Sequence, residues 1–226
     1  MKNTRRTLMA ATALLGLWLI NAAQAQIYVA NFNSGMIDGG TIGEYNLDGS
    51  TVNASLVTGL TEPVDLAVSG GDIFVANYGS DTIGEYTTAG ATVNASLVTG
   101  LSGPYSLAVS GGDIFVANSG SGTIGEYTTA GATVNASLVS GLDVPCGLAV
   151  SGGNIFVANK VLGIGPGTIG EYTTAGATVN ASLVTGLLDP FGIDVEEVPE
   201  PSTWPLLAGG LAGWLLWRCR ASRALI

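Results

Sequence analysis

The chain has 226 residues, with 34 glycines, no histidine and only 11% charged residues. Without imidazole it cannot form a Ser-His-Asp triad, use a histidine general base or bind His-ligated zinc. The formal net charge of −10 conceals an asymmetry: all 17 acids lie between Asp38 and Glu200, where Lys160 is the single cation, so this stretch repels nucleic acid and anionic lipid headgroups.

At the N-terminus, Lys2, Arg5 and Arg6 precede an apolar run from Leu8 to Ile20 and the small-residue pattern Ala23-Gln24-Ala25. That order predicts a secretory signal helix over residues 1–25, removed by signal peptidase, with Ala23 and Ala25 in the peptidase pocket. The apolar run of 13 residues is short for a permanent span.

From residue 26 to 197 the sequence repeats. Pro63, Pro104, Pro145 and Pro190 recur at spacings of 41, 41 and 45 residues, and a period near 41 is the length of a propeller blade. Each unit carries LAVSGG, a run such as IFVAN, then TIGEY, then TVNASLVTGL. These short β-branched runs between glycine, serine and threonine clusters predict an all-β domain with four strands per repeat. Gly70-Gly71 and Gly111-Gly112 predict tight hairpins. The first unit opens at Ile27 without a LAVSGG run, and Asp189 to Val195 is a spare copy of that run at the far end. The expected architecture is therefore a four-repeat β-propeller-like ring of 16 strands, closed by strands from both termini.

Several repeated residues are candidate sites. Glu44, Glu85, Glu126 and Glu171 occupy one strand position, each followed by a tyrosine. Four of them around a ring would form a cation-binding annulus, although duplication of one exposed glutamate is the favoured explanation. Asn31, Asn77, Asn118 and Asn159 end their strands and are expected to close turns through backbone hydrogen bonds. The NAS triplets at Asn53, Asn94, Asn135 and Asn180 match a glycosylation pattern by accident. Cys146 fills the post-proline slot held elsewhere by Val64, Tyr105 and Phe191, and reads as a packed thiol. Cys219 lies in the tail, so the processed chain has no internal disulfide. The longer loops Phe32 to Gly40 and Gly163 to Gly167 are expected to meet across the closure as one exposed lip. No residue set is expected to be catalytic, to bind a metal or to hold a cofactor.

The C-terminus, residues 198–226, has its own order: Val198-Pro199-Glu200-Pro201-Ser202-Thr203, an apolar run from Trp204 to Trp217, then Arg218, Arg220 and Arg223. Arginines after an apolar helix hold its end in the cytoplasm. The two prolines keep the approach extended for a processing enzyme. The apolar run falls short of the usual ~20 residues, which predicts a transient anchor.

This tail resembles the PEP-CTERM sorting signal of Gram-negative bacteria. The resemblance implies handling by a membrane exosortase, often in species that produce exopolysaccharide. Residues 27–195 resemble the YVTN and NHL propeller repeats, on Val29-Ala30-Asn31, Val75-Ala76-Asn77, Val116-Ala117-Asn118 and Val157-Ala158-Asn159. Such families commonly build six or seven blades, so four repeats leave open whether one chain closes alone or two form an eight-bladed homodimer.

The functional expectation is an exported, transiently inner-membrane-anchored and then surface-displayed scaffold. It would be non-catalytic and serve adhesion, with exopolysaccharide or surface proteins as partners. A carbohydrate- or cation-binding module is the first alternative, and a propeller lyase or lactonase the second.

Overall fold

The computed structural model describes residues 25–33, 38–163 and 165–196. The expected terminal helices lie outside the described residues, as do Ala23, Val198, Pro199, Glu200, Pro201, Arg218, Arg220 and Arg223. No helix among the described residues is long and apolar enough to cross a membrane.

The repeat runs fold as antiparallel meanders. β1 (Gln26–Asn31), β2 (Gly40–Asn46) and β3 (Thr51–Leu60) form the first sheet. β4 (Pro63–Ser69), β5 (Asp72–Asn77), β6 (Thr82–Thr87) and β7 (Thr92–Val98) form the second. The third comprises β8 (Pro104–Ser110), β9 (Asp113–Asn118), β10 (Thr123–Thr128) and β11 (Thr133–Val139), and the fourth β12 (Val144–Ser151), β13 (Asn154–Lys160), β14 (Gly167–Thr173) and β15 (Thr178–Leu187). The predicted hairpin glycines join first to second strands. Gly70 and Gly71 have φ of 64° and 95°, the paired left-handed geometry that makes a two-residue turn match strand twist.

Local chemistry shapes each sheet. The glycine of TIGEY leaves room for the tyrosine two residues on: a Cβ at Gly125 would lie 2.7 Å from the Tyr127 ring. The NAS asparagines have a structural role that their glycosylation-like pattern hid. Oδ1 of Asn53, Asn94, Asn135 and Asn180 accepts the backbone N–H of the serine two residues later, at 3.0–3.1 Å. These bonds fall where the outer strand slips register against its neighbour.

The core is three equivalent layers between consecutive blades. Between the second and third lie Phe74, Ala76, Ile83 and Val98 from one side and Leu107, Ile114, Val116 and Tyr127 from the other. The same positions pack between the first and second blades and between the third and fourth. Each following blade also lays a turn glycine on its predecessor, since a Cβ at Gly90, Gly131 or Gly176 would lie 2.6 Å from the carbonyl oxygen of Leu56, Leu97 or Leu138.

The propeller class is thus confirmed, but the expected closing strand does not form. The described residues contain 15 strands rather than 16, and the first sheet has three. Residues 191–196 are irregular and join no ladder. They pack instead against β12, where the Cys146 thiol donates to the Pro190 carbonyl at 2.8 Å. The physical reason is distance around the arc. β1 is the leading edge of the first blade, whereas residues 189–196 leave the fourth, and four blades curve too little to bring the two together.

The exposures agree. Ile27 in β1 is 42% exposed, whereas its equivalents Ile73, Ile114 and Ile155 are at 0%. Val184 in β15 is 43% exposed, against 4–6% for Val57, Val98 and Val139. The lip expected across the closure involves the loops after β1 and β13, Phe32 to Gly40 and Gly163 to Gly167. Residues 34–37 and 164 of the two loops lie outside the described residues.

Candidate functional site

The two residues after each repeat proline lie near the arc's axis, on the inner strands β4, β8 and β12 and on the irregular segment after Pro190. Val64 and Asp65, Tyr105 and Ser106, Cys146 and Gly147, and Phe191 and Gly192 therefore converge on one cleft of about 420 Å³, floored by Leu107 and Leu148. That volume is in the range of small-ligand sites.

A polar chain crosses the cleft from blade to blade. Asp65 Oδ2 accepts from Ser106 Oγ at 2.8 Å and from the Leu107 N–H at 2.9 Å, and Oδ1 accepts from the Leu66 N–H at 2.9 Å. Ser106 Oγ accepts in turn from the Leu148 N–H at 3.2 Å. Despite these bonds, burial pushes the Asp65 carboxyl above the usual carboxylate range, because desolvation of the charge outweighs the donors. The folded state therefore holds this proton more tightly than the unfolded chain. Asp65 contributes stability below the ordinary carboxylate pKa of ~3.9 that is lost as pH rises through its raised value. The melting temperature should fall more steeply with rising pH in the native protein than in Asp65→Asn. Parallel profiles would show that Asp65 titrates normally.

Two residues of the cleft lining, Tyr105 and Phe191, belong to an aromatic row. Tyr78, on the single 3-10 turn among the described residues (Tyr78–Ser80), meets Tyr105 edge-on with ring centroids 5.9 Å apart, and Tyr105 meets Phe191 at 6.1 Å. Lys160 lies 4.0 Å over the Phe191 ring and 3.5 Å from Asp189. Cys146 is buried beneath the row, as its slot predicts, and burial is the main cause of its raised thiol pKa.

The repeated glutamates lie elsewhere. Glu85 with Asp72, and Glu126 with Asp113, line two separate grooves between consecutive blades. Burial, then the neighbouring aspartate, raises the pKa of each of these glutamates. Glu171 accepts from Asn154 Nδ2 at 2.8 Å, and Glu44 is buried in the first blade. The described residues contain no group of three or more histidines, cysteines, aspartates or glutamates placed to hold a metal ion. The strand-end asparagines divide. Asn159 Oδ1 accepts the Asp143 N–H and Asn31 Nδ2 donates to Thr41 Oγ1, both at 3.1 Å, while Oδ1 of Asn77 and Asn118 is buried without a partner.

Sequence reasoning missed Asp65, Ser106 and Tyr78. Asp65 and Ser106 adjoin the aligned post-proline slot at Val64 and Tyr105, which was the available signal, while Tyr78 follows a strand-end asparagine and had none.

Consecutive antiparallel meanders, one of three strands and three of four, packed face to face around an axial cleft define a β-propeller-class protein, and solved structures agree at the level of the fold. The chain is similar to a chain of the nidogen/laminin complex (17% identity, TM-score 0.60, covering 74% of this chain and 65% of that one). It is similar to hydrazine synthase of Kuenenia stuttgartiensis (17% identity, TM-score 0.56, covering 64% and 43%). It is also similar to virginiamycin B lyase from Staphylococcus aureus (19% identity, TM-score 0.54, covering 75% and 64%). The chain thus spans less than two thirds of the length of each of these solved chains. Comparison with curated proteins finds no match. Residues 197–221 match the PEP-CTERM protein-sorting motif. That signal implies export and transient membrane anchoring before surface display, with processing by an exosortase.

Proposed function

We propose that this protein is a non-catalytic surface scaffold that binds a neutral glycan segment, such as extracellular polysaccharide, in its axial cleft. The observation that carries the reading is the Tyr78–Tyr105–Phe191 aromatic row, two of whose rings, Tyr105 and Phe191, line that cleft. Aromatic faces stack on the apolar faces of sugar rings, and the Asp65–Ser106 chain beneath offers polar groups that fix orientation. The acidic body disfavours polyanions.

Support for a non-catalytic role comes from the engagement of the cleft's ionisable groups. Asp65 already accepts three hydrogen bonds, and the Cys146 thiol is capped by the Pro190 carbonyl. The similarity to virginiamycin B lyase keeps a lyase as the competing reading. A glycan array probed with the native protein and with Tyr105→Ala and Phe191→Ala tests the proposal. Each ring should contribute about two- to twelvefold in affinity, from the ~0.5–1.5 kcal/mol of a ring contact. Unchanged binding in both variants would remove the cleft from consideration, and turnover of any bound glycan or lactone would establish an enzyme.

A further inference from the structure

We propose that two copies of this chain join head to tail into one eight-bladed ring, in which residues 190–196 of each copy supply the strand missing from the other's first sheet. This goes beyond the glycan reading and rests on the two uncovered end faces of the arc, sharing with that reading only the segment that carries Phe191.

The two ends of the arc are the two halves of an interface the chain already builds three times. Internally, a trailing face of aromatic, alanine, isoleucine and valine meets a leading face of leucine, isoleucine, valine and tyrosine. The fourth blade presents that trailing face uncovered, with Val184 exposed and Phe156 and Ile169 only half-buried. The first blade presents the leading face uncovered at Ile27, Val29 and Tyr45. A Cβ at Gly49 would meet nothing within 4 Å, although its equivalents Gly90, Gly131 and Gly176 each rest on a leucine of the preceding blade. Leu183, the residue such a turn would cover, is exposed. Neither β1 nor β15 carries a charged residue, so the charges that the paired strands bring to the join are Asp194 and Glu196 of the added segment.

The missing strand is already in place for the next blade. A Cβ at Gly167 would strike Pro190 just as one at Gly40 would strike Pro63, so residues 190–196 leave the fourth blade as β4 leaves the first. In the ladder of β4 on β5, Leu66 faces Val75 and Ser69 faces Asp72. The same register sets Ile193 opposite Val29, and Glu196 opposite Gln26, of the second copy. The sheet gains its fourth strand and the exposed edge disappears.

Two copies are the number that fits. Propellers typically have four to eight blades, and four do not close here, while three copies would require twelve. A head-to-tail contact whose rotation closes makes a ring rather than a filament.

The test uses the full chain in mild detergent. Sedimentation should give a dimer, and Ile27→Lys or Val184→Lys, each altering a residue exposed in the single copy, should give monomers with unchanged circular dichroism. Chains carrying Val29→Cys, mixed with chains carrying Ile193→Cys and oxidised, should form a covalent heterodimer, because opposed strand residues lie within disulfide reach. The proposal is overturned by a monomeric native chain, by open-ended polymers, or by lysine variants that remain dimeric. It is equally overturned if the Val29→Cys/Ile193→Cys double variant forms the disulfide within one chain.

Discussion

Truncating Phe115 to alanine is expected to cost about 3 to 5 kcal/mol, the usual loss for a large aromatic side chain removed from a packed core. Phe115 is buried between the third and fourth blades, against Leu148, Ile155, Val157 and Tyr172. A loss of that size is a large fraction of the ~5–15 kcal/mol by which domains are stable, so the variant should sit near the threshold of unfolding. Phe156 occupies the same place in the fourth blade's NIFVAN run but is only half-buried, because no blade follows. Its truncation should cost about 1 to 2 kcal/mol, in proportion to the smaller area removed from water. Both losses are read from denaturant midpoints. The comparison belongs on a Val184→Lys background, where the second copy cannot cover Phe156. Equal losses on that background would show that the arc is closed within one chain.

The second large effect concerns the strand glycines. Gly125→Val places a β-branched side chain where even a Cβ would lie 2.7 Å from the Tyr127 ring, and that ring is part of the core between the second and third blades. Either the ring leaves the core, forfeiting about 3 to 5 kcal/mol of aromatic packing, or the strand shifts at the ~1–3 kcal/mol typical of overpacking. The double variant Gly125→Val/Tyr127→Ala discriminates. If the clash is the cause, its loss is smaller than the sum of the single losses, because removing the ring removes the conflict. Strict additivity would mean that the glycine is needed for its backbone alone.

Much of this architecture was legible because its causes are local. Gly70-Gly71 readily adopts the left-handed conformation that a two-residue hairpin turn needs, alternating apolar runs need a pleated partner, and the 41-residue period announces blades before any contact is known. The buried thiol of Cys146 followed from alignment with Val64, Tyr105 and Phe191. The glutamates were placed on the correct strands, yet their recurrence gave no information about convergence, and Glu85 and Glu126 line separate grooves. The cleft was hidden for the converse reason. Asp65, Ser106, Cys146 and Phe191 share no chemistry, so nothing in their identities marked them as one site.

The sequence by itself determined the number of repeats, the meander within each, and the sorting tail read at residues 198–226, which the sorting motif matches at 197–221. Only the tertiary structure decided that the arc stays open, with Ile27 and Val184 uncovered at its ends and residues 191–196 outside every ladder. The division has a physical cause. Hairpins and strand pairing depend on residues a few positions apart, whereas curvature is a small rotation set by side-chain packing at each blade interface and accumulated over all of them. A spare opening strand can be read from the chain, but the partner it reaches depends on that accumulated angle.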